Sequence, residues 1–204
     1  MQITAVVPLD KRRSKVLCEE DFAFVLYKGE LKKYQIEEGM NLSEETYEEI
    51  LHQILMKRAK ERALYLLKDR DRTEQEIRRK LKEGFYPEDS IAQTINFLKE
   101  YRFLDDLEYG RRYIRTYGNS RSKKRLQFDL QQKGLEREQI RLLLEESDGD
   151  ISEEVQIEKF LKKKGYQKGE TPLKEREKLM AALVRKGFSY DAVSRMMGGW
   201  MEFE

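Results

Sequence analysis

One unit recurs three times in this chain of 204 residues, and it leaves few folds open. In the first copy Thr73 is a natural helix N-cap, and Glu76, three residues on, completes a capping box. Ile77 and Leu81 lie four apart and so share one helix face. Gly84 is placed to stop that helix, because glycine takes the left-handed C′ conformation without steric cost. Pro87 then opens a second helix from the first-turn position, and Ile91, Ile95 and Leu98 supply its apolar stripe. Leu126, Leu130, Gly134 and Ile140 repeat this order, and so do Leu179, Leu183, Gly187 and Val193. The copies are offset by roughly 50 residues, longer than tetratricopeptide or ankyrin units of about 33–34. That length leaves room for three helices per unit.

The expected fold is therefore mainly α: tandem three-helix repeats in an extended array, preceded by a small β-hairpin or meander. The reading divides the chain into a β segment (1–42), repeat 1 (43–104), repeat 2 (105–147), repeat 3 (148–199) and a tail (200–204). In the β segment Ile3, Ala5 and Val7 alternate with Thr4 and Val6. Lys15 to Cys18 and Phe22 to Leu26 are two further strands, with turns at Asp10 to Arg13 and Glu19 to Asp21. A hairpin this small is marginal alone and is expected to pack on the first helix. Glu30 to Tyr34 adds a helical turn. Ser43 caps a long helix from Glu44 to about Leu67, whose second half serves repeat 1. Asp105 or Asp106 caps the first helix of repeat 2, which carries Leu107, Ile114 and Tyr117.

Glu145 to Glu154 is acidic and reads as a loop, after which Ser152 caps a helix burying Val155, Phe160 and Leu161. Thr171-Pro172 is a cap followed by a first-turn proline. Val193, Met196 and Met197 belong to the last helix, and Trp200 is placed to fold back over the last repeat.

The order of these motifs resembles the RecX family over residues 59–197. Arg70 to Ile77 followed by Leu81 is similar to that family's first-repeat signature. So is Phe103-Leu104-Asp105-Asp106 leading into Tyr109 to Ile114. Asp129 to Gly134 resembles the second-repeat glycine stop. Two positions depart from the family pattern. Ser122-Lys123 stand where Gly-Pro is usual, and Gly110 stands where Ala is usual. The resemblance implies a regulator that binds the RecA recombinase and its filament on single-stranded DNA, lies in the filament groove, and limits filament growth, ATPase and strand exchange.

Charge is where the residues themselves speak of function. Asp, Glu, Lys and Arg make up 39% of the chain, yet the net charge is only +2, so the asymmetry is local. From Tyr109 through Phe128 there is no acidic residue. That stretch holds Arg111, Arg112, Arg115, Arg121, Lys123, Lys124 and Arg125, interleaved with aromatics. Cations neutralise phosphates and aromatic faces stack on unpaired bases, so the stretch is the candidate filament- or nucleic-acid-binding surface, for single- or double-stranded DNA. The competing reading is a solvated helix face with its aromatics, Tyr113 and Phe128 above all, in the core. A second basic run, Arg70 to Lys82, is interspersed with acids and reads as a structural surface. Lys162 to Lys164 and Lys168 form a third patch.

Catalytic readings find no support. His52 is the sole histidine, without a second ligand at metal spacing. Gly198-Gly199 lacks a following GK[ST], and Asp105-Asp106 is explained as a cap. The chain reads as a binding protein, not an enzyme, with no cofactor. Two alternatives to the recombinase regulator stay open: a direct nucleic-acid binder, and a helical scaffold for another protein. One cysteine, Cys18, excludes an internal disulfide and suits a reducing compartment. With no long apolar run, and an apolar N-terminal stretch that precedes its basic residues, the expectation is a cytoplasmic monomer away from membranes.

Overall fold

The computed structural model describes residues 1–19, 23–147 and 152–198. It resolves into two compact units, Met1–Asp105 and Asp106–Glu204. The fold is mostly helical, with one small antiparallel sheet at the N-terminus.

In the first unit β1 (Ile3–Pro8), β2 (Arg13–Cys18) and β3 (Ala23–Tyr27) form a three-stranded meander in the order β1-β2-β3. Asp10 builds the first turn. Its Oδ1 accepts from the backbone N–H of Arg12 and Arg13, each at 2.8 Å, and these bonds hold its pKa down at about 2. The second turn falls largely on residues outside those described. β2 alternates cleanly, burying Ser14, Val16 and Cys18. The expected alternation of β1 fails. Its register with β2 shifts between Ile3 and Ala5, so Ile3 is buried but Val7 is exposed and Val6 takes the core side. A bulge adds one residue, and one residue reverses the faces of everything after it.

Helix α1 (Lys28–Lys33) is a short surface turn. Ser43 then accepts from the Thr46 N–H at 3.1 Å and caps α2 (Glu44–Ile50). The predicted long helix is continuous, but Leu51–Leu55 forms a π turn before α3 (Met56–Asp69). Tyr47, Leu51, Leu55, Ala59 and Ala63 are all buried at strict four-residue spacing. On a 3.6-residue turn such a stripe drifts by about 40° per step, and the wider π turn takes up part of that drift. The first half of this helix packs into the sheet core with Ile3, Val16, Phe24 and Leu26. The second half supplies Ala59, Ala63 and Leu66 to a different core, with Ile77, Leu81, Ile91, Ile95 and Leu98. These residues belong to α3, α4 (Glu74–Glu83) and α5 (Glu88–Glu100).

The Thr73–Glu76 capping box is present, with bonds of 3.3 and 3.2 Å. Three details of repeat 1 differ from expectation. Gly84 has φ −85, and the left-handed residue is Phe85 at φ +59. Gly84 is needed instead for closeness, since a Cβ there would lie 2.9 Å from Tyr86 Cε2. Pro87 is the N-cap, one residue outside the helix. Arg72, in the run read as surface, is buried, and its Nε donates to the Leu66 carbonyl at 3.1 Å, closing the end of α3.

The second unit holds two further three-helix sets. α6 (Asp106–Tyr117), α7 (Lys123–Gln132) and α8 (Arg137–Glu146) bury Ile114, Leu126, Leu130, Leu135, Ile140 and Leu143. α9 (Glu153–Lys163), α10 (Leu173–Arg185) and α11 (Tyr190–Met196) bury Ile157, Leu161, Leu183, Val193 and Met197. Gly134 and Gly187 do adopt left-handed φ, +94 and +92.

Ser152 caps α9 and Leu161 is buried, as predicted, with Phe160 packed against the core; Val155 is instead exposed, and Ile157 takes the buried position. Pro172, like Pro87, is an N-cap. The loop expected from Glu145 begins later, because α8 runs through Glu146, and residues 148–151 lie outside those described. So does Trp200.

Gly110 explains its departure from alanine. A Cβ there would overlap Leu143 Cδ1 and sit 3.1 Å from Leu135 Cδ2, so the bare backbone lets α6 and α8 close on each other. Ser122 is the N-cap of α7 and accepts from the Arg125 N–H at 3.2 Å. It also donates to the carbonyl of Lys186 in repeat 3, at 2.9 Å. Gln156 Nε2 donates to the Gly118 carbonyl, a second buried polar tie between the two repeats.

Candidate functional site

The acid-free stretch occupies α6, the turn after it and the start of α7. Acids flanking it in sequence return to it in space. Arg111 Nε reaches Glu146 at 3.0 Å, and its NH1 lies 3.7 Å from Glu108. Arg112 Nε is 3.7 Å from Glu108. Arg121 pairs with Asp129 at 2.6 Å, donates to the Tyr113 hydroxyl and covers the Tyr117 ring at 4.1 Å. Arg125 Nε pairs with the other Asp129 oxygen at 3.0 Å. Asp129 is 9% exposed, so one nearly buried carboxylate fixes two guanidiniums. Arg115 and Lys124 are exposed and have no ion-pair partner among the described residues. Lys123 is half-buried beside Lys124.

Two depressions divide these side chains. Arg111 and Arg115 line one of about 390 Å³ with Gly118, Asn119 and Glu146. Lys123 and Lys124 line another of about 600 Å³ with Gln127, Val184, Phe188 and Tyr190. Arg121 faces inward, between the tyrosines of α6.

Tyr109 and Tyr113 stack along that helix with centroids 6.2 Å apart, Tyr117 lies tilted against Tyr113 at 4.6 Å, and all three pack against the repeat 2 core. Burial pushes the Tyr113 phenol up in pKa, and the charge of Asp129 adds to it. Phe128, expected in the core, is 50% exposed, with Arg125 at 5.3 Å from its ring. A cation lying over an exposed ring is the pairing that stacking on unpaired bases uses.

His52 is exposed, with Nε2 at 3.1 Å from Glu48. Among the described residues no group of three or more His, Cys, Asp or Glu could hold a metal ion. No helix of the described residues is long and apolar enough to cross a membrane. Cys18 is buried, and burial raises its thiol pKa.

Comparison with known proteins places this arrangement. The profile described as "RecX, first three-helix domain" matches residues 59–98, and that of the third three-helix domain matches residues 153–197. The regulatory protein RecX of Clostridium botulinum (strain Eklund 17B / Type B) is 28% identical over 197 residues, covering 96% of this chain and 93% of the relative. The regulatory protein RecX of Clostridioides difficile (strain 630) is 28% identical over 196 residues, covering 94% and 91%. A crystal structure of regulatory protein RecX superposes with a TM-score of 0.60 at 25% identity, covering 96% of this chain and 98% of its own.

The chain belongs to the RecX family.

The RecX structure from Lactobacillus salivarius shares the fold, with a TM-score of 0.58 at 24% identity over 70% of this chain and 94% of its own. The matched RecX segments fall on α3–α5 and α9–α11, which hold the first and third copies of the recurring unit. What sequence reasoning missed is the role of Asp129, which stands one residue beyond the acid-free window, and a basic cleft in the first unit. No single segment announces that cleft, because its lining comes from β2, β3, the π turn, α3, α4 and the α4–α5 turn.

Proposed function

We propose that this protein binds the RecA recombinase and its filament on single-stranded DNA, and restrains filament growth, ATP hydrolysis and strand exchange. Membership of the RecX family over nearly the whole chain carries this reading. The segments 43–104, 105–147 and 148–199 act as successive modules, each offering modest contacts that add through linkage. The protein works as a cytoplasmic monomer without a cofactor and without chemistry of its own. ATP hydrolysis by RecA preformed on single-stranded DNA, titrated with this protein, tests the reading. A drop at substoichiometric amounts supports blocked filament growth, and a drop only near saturation supports occupancy of the groove. No change at any ratio removes the proposal.

A second reading is favoured by a specific observation: Arg115 and Lys124 are exposed with no ion-pair partner among the described residues, and Phe128 on α7 is an exposed ring. In it the second unit contacts nucleic acid directly. Binding to bare single-stranded DNA with a steep salt dependence supports it, and absence of such binding at low salt removes it.

A further inference from the structure

We propose that the cleft between β2–β3 and the α3–α4 corner of the first unit binds a nucleoside phosphate, either free or as one unit of a single strand. The cleft has a volume of about 690 Å³, within the roughly 300–1,000 Å³ typical of small-ligand sites. Val25 and Leu55 contribute apolar lining, and Tyr27, Phe85 and Tyr86 contribute rings.

The aromatic corner is built at a conformational cost. Phe85 holds φ +59, a backbone region that favours glycine, although a glycine stands immediately before it. The order Gly84-Phe85-Tyr86 lets the Tyr86 ring lie against bare backbone at Gly84 while Phe85 also lines the cleft. Lys15 from β2 covers one face of Phe85, 4.3 Å from its centroid.

The cations around these rings are unevenly compensated. Arg58 is held, paired with Glu30 and lying over Tyr27 at 4.5 Å. Lys80 is cancelled by Glu83 at 2.6 Å. Arg13 uses Nε on Asp10 at 2.7 Å, which leaves both terminal NH₂ groups for a ligand. Arg62 is exposed and has no acid partner among the described residues. The Tyr86 hydroxyl has no hydrogen-bond partner among the described residues. Burial raises its pKa, and the charges of Arg58, Arg62 and Arg13 all act in the opposite sense. Arg13, Arg58 and Arg62 thus line the same cleft as the Tyr86 phenol, and that shared lining is the place for a phosphate.

The rings beside it suit a base, and Glu61 on the rim suits an amine or a ribose hydroxyl. An acidic peptide fits less well, because Glu61 and Glu83 would repel it and the rings would have no counterpart.

The experiment titrates the intact protein with dAMP, a thymidine hexanucleotide, inorganic phosphate and hexaglutamate, by calorimetry and without recombinase. Its outcome is therefore separate from that of the filament reading. The variants are Arg62→Glu and Tyr86→Phe, each checked for its melting transition. Loss of one charge-assisted contact is expected to weaken binding on the order of tenfold in Arg62→Glu, and by less in Tyr86→Phe. Binding of dAMP identifies a free nucleotide site; binding of the hexanucleotide alone, with the same sensitivity, identifies a strand site. The proposal is overturned if neither binds, if Arg62→Glu leaves binding unchanged, or if hexaglutamate binds more tightly than both. Should Arg62→Glu fail to fold, Tyr86→Phe decides alone, since it removes only an unpaired hydroxyl.

Discussion

The Ser122 hydroxyl is shared between two repeats: it caps its own helix through the Arg125 N–H and closes the C-terminal end of α10 through the Lys186 carbonyl, 2.9 Å away. Both groups lie at helix ends, where backbone atoms lack intrahelical partners. Ser122→Ala removes the cap and strands a carbonyl, and is expected to cost about 2 kcal/mol. Gly187→Ala attacks the same joint from the other side, since its Cβ would stand 2.6 Å from Ser122 Oγ at a φ of +92. Urea unfolding of the two single variants and the double variant checks this, and the two effects should be less than additive.

Gly110→Ala is expected to destabilise despite alanine's better helix propensity. The propensity gain is about 1 kcal/mol, whereas the new methyl meets Leu143 Cδ1 inside a packed core, where overpacking costs about 1–3 kcal/mol. Adding Leu143→Ala should make room for the methyl. The double variant is then more stable than the sum of the singles predicts, as a thermal-melt double-mutant cycle would show.

Glu74 gives the first unit a pH dependence. Burial pushes its pKa up, but hydrogen bonds from Lys99 and Arg78 outweigh burial and leave it lowered. A carboxylate lowered by folding contributes stability above its unfolded pKa, near 4.3, and loses it as pH falls through the folded value. Glu74→Gln should therefore flatten the acid limb of the stability profile below about pH 4.3 and lower stability at pH 7. Equal acid sensitivity in both proteins would contradict this.

Ser90 and Thr94 are fully buried on one face of α5, and neither hydroxyl has a hydrogen-bond partner among the described residues. Thr94→Val keeps the shape and removes an unsatisfied group, so it should stabilise by about 1 kcal/mol. Ser90→Ala should be neutral or better. Chemical denaturation midpoints read both.

Arg115 and Lys124 differ from Arg121 in their surroundings, and substitution should separate them. If the second unit binds single-stranded DNA, Arg115→Glu with Lys124→Glu removes two phosphate contacts. The salt slope then falls by about 1.4 while the fold is kept. Arg121→Ala instead leaves the Asp129 carboxylate, 9% exposed, without one of its two partners, and should lower the melting temperature.

Local signals made the repeats legible. Thr73, Ser43, Ser152 and the apolar pairs of α4, α7 and α10 depend on neighbours within one turn, and such contacts can be read along the chain. The candidate site was less legible, because charge was counted along the sequence whereas compensation acts through space. Glu146 reaches Arg111 from another helix, and Asp129 neutralises Arg121 from eight positions on. Phe85 took the left-handed position that Gly84 was expected to hold, because the packing of Tyr86 against Gly84 is a tertiary demand that outweighs local preference. The bulge after Ile3 likewise leaves no mark in a run of β-branched residues.

The π turn at Leu51–Leu55 makes one rod the property of two cores. Its length is then quantised. Deleting one residue from the regular α-helical turn that follows it, at Lys57, would rotate everything before that point by about 100° relative to everything after it. Tyr47 and Leu51 would swing off the sheet while Ala59 and Ala63 stayed seated. The sheet and repeat 1 are consequently geared together, and the first unit should melt in a single transition rather than shedding its strands first.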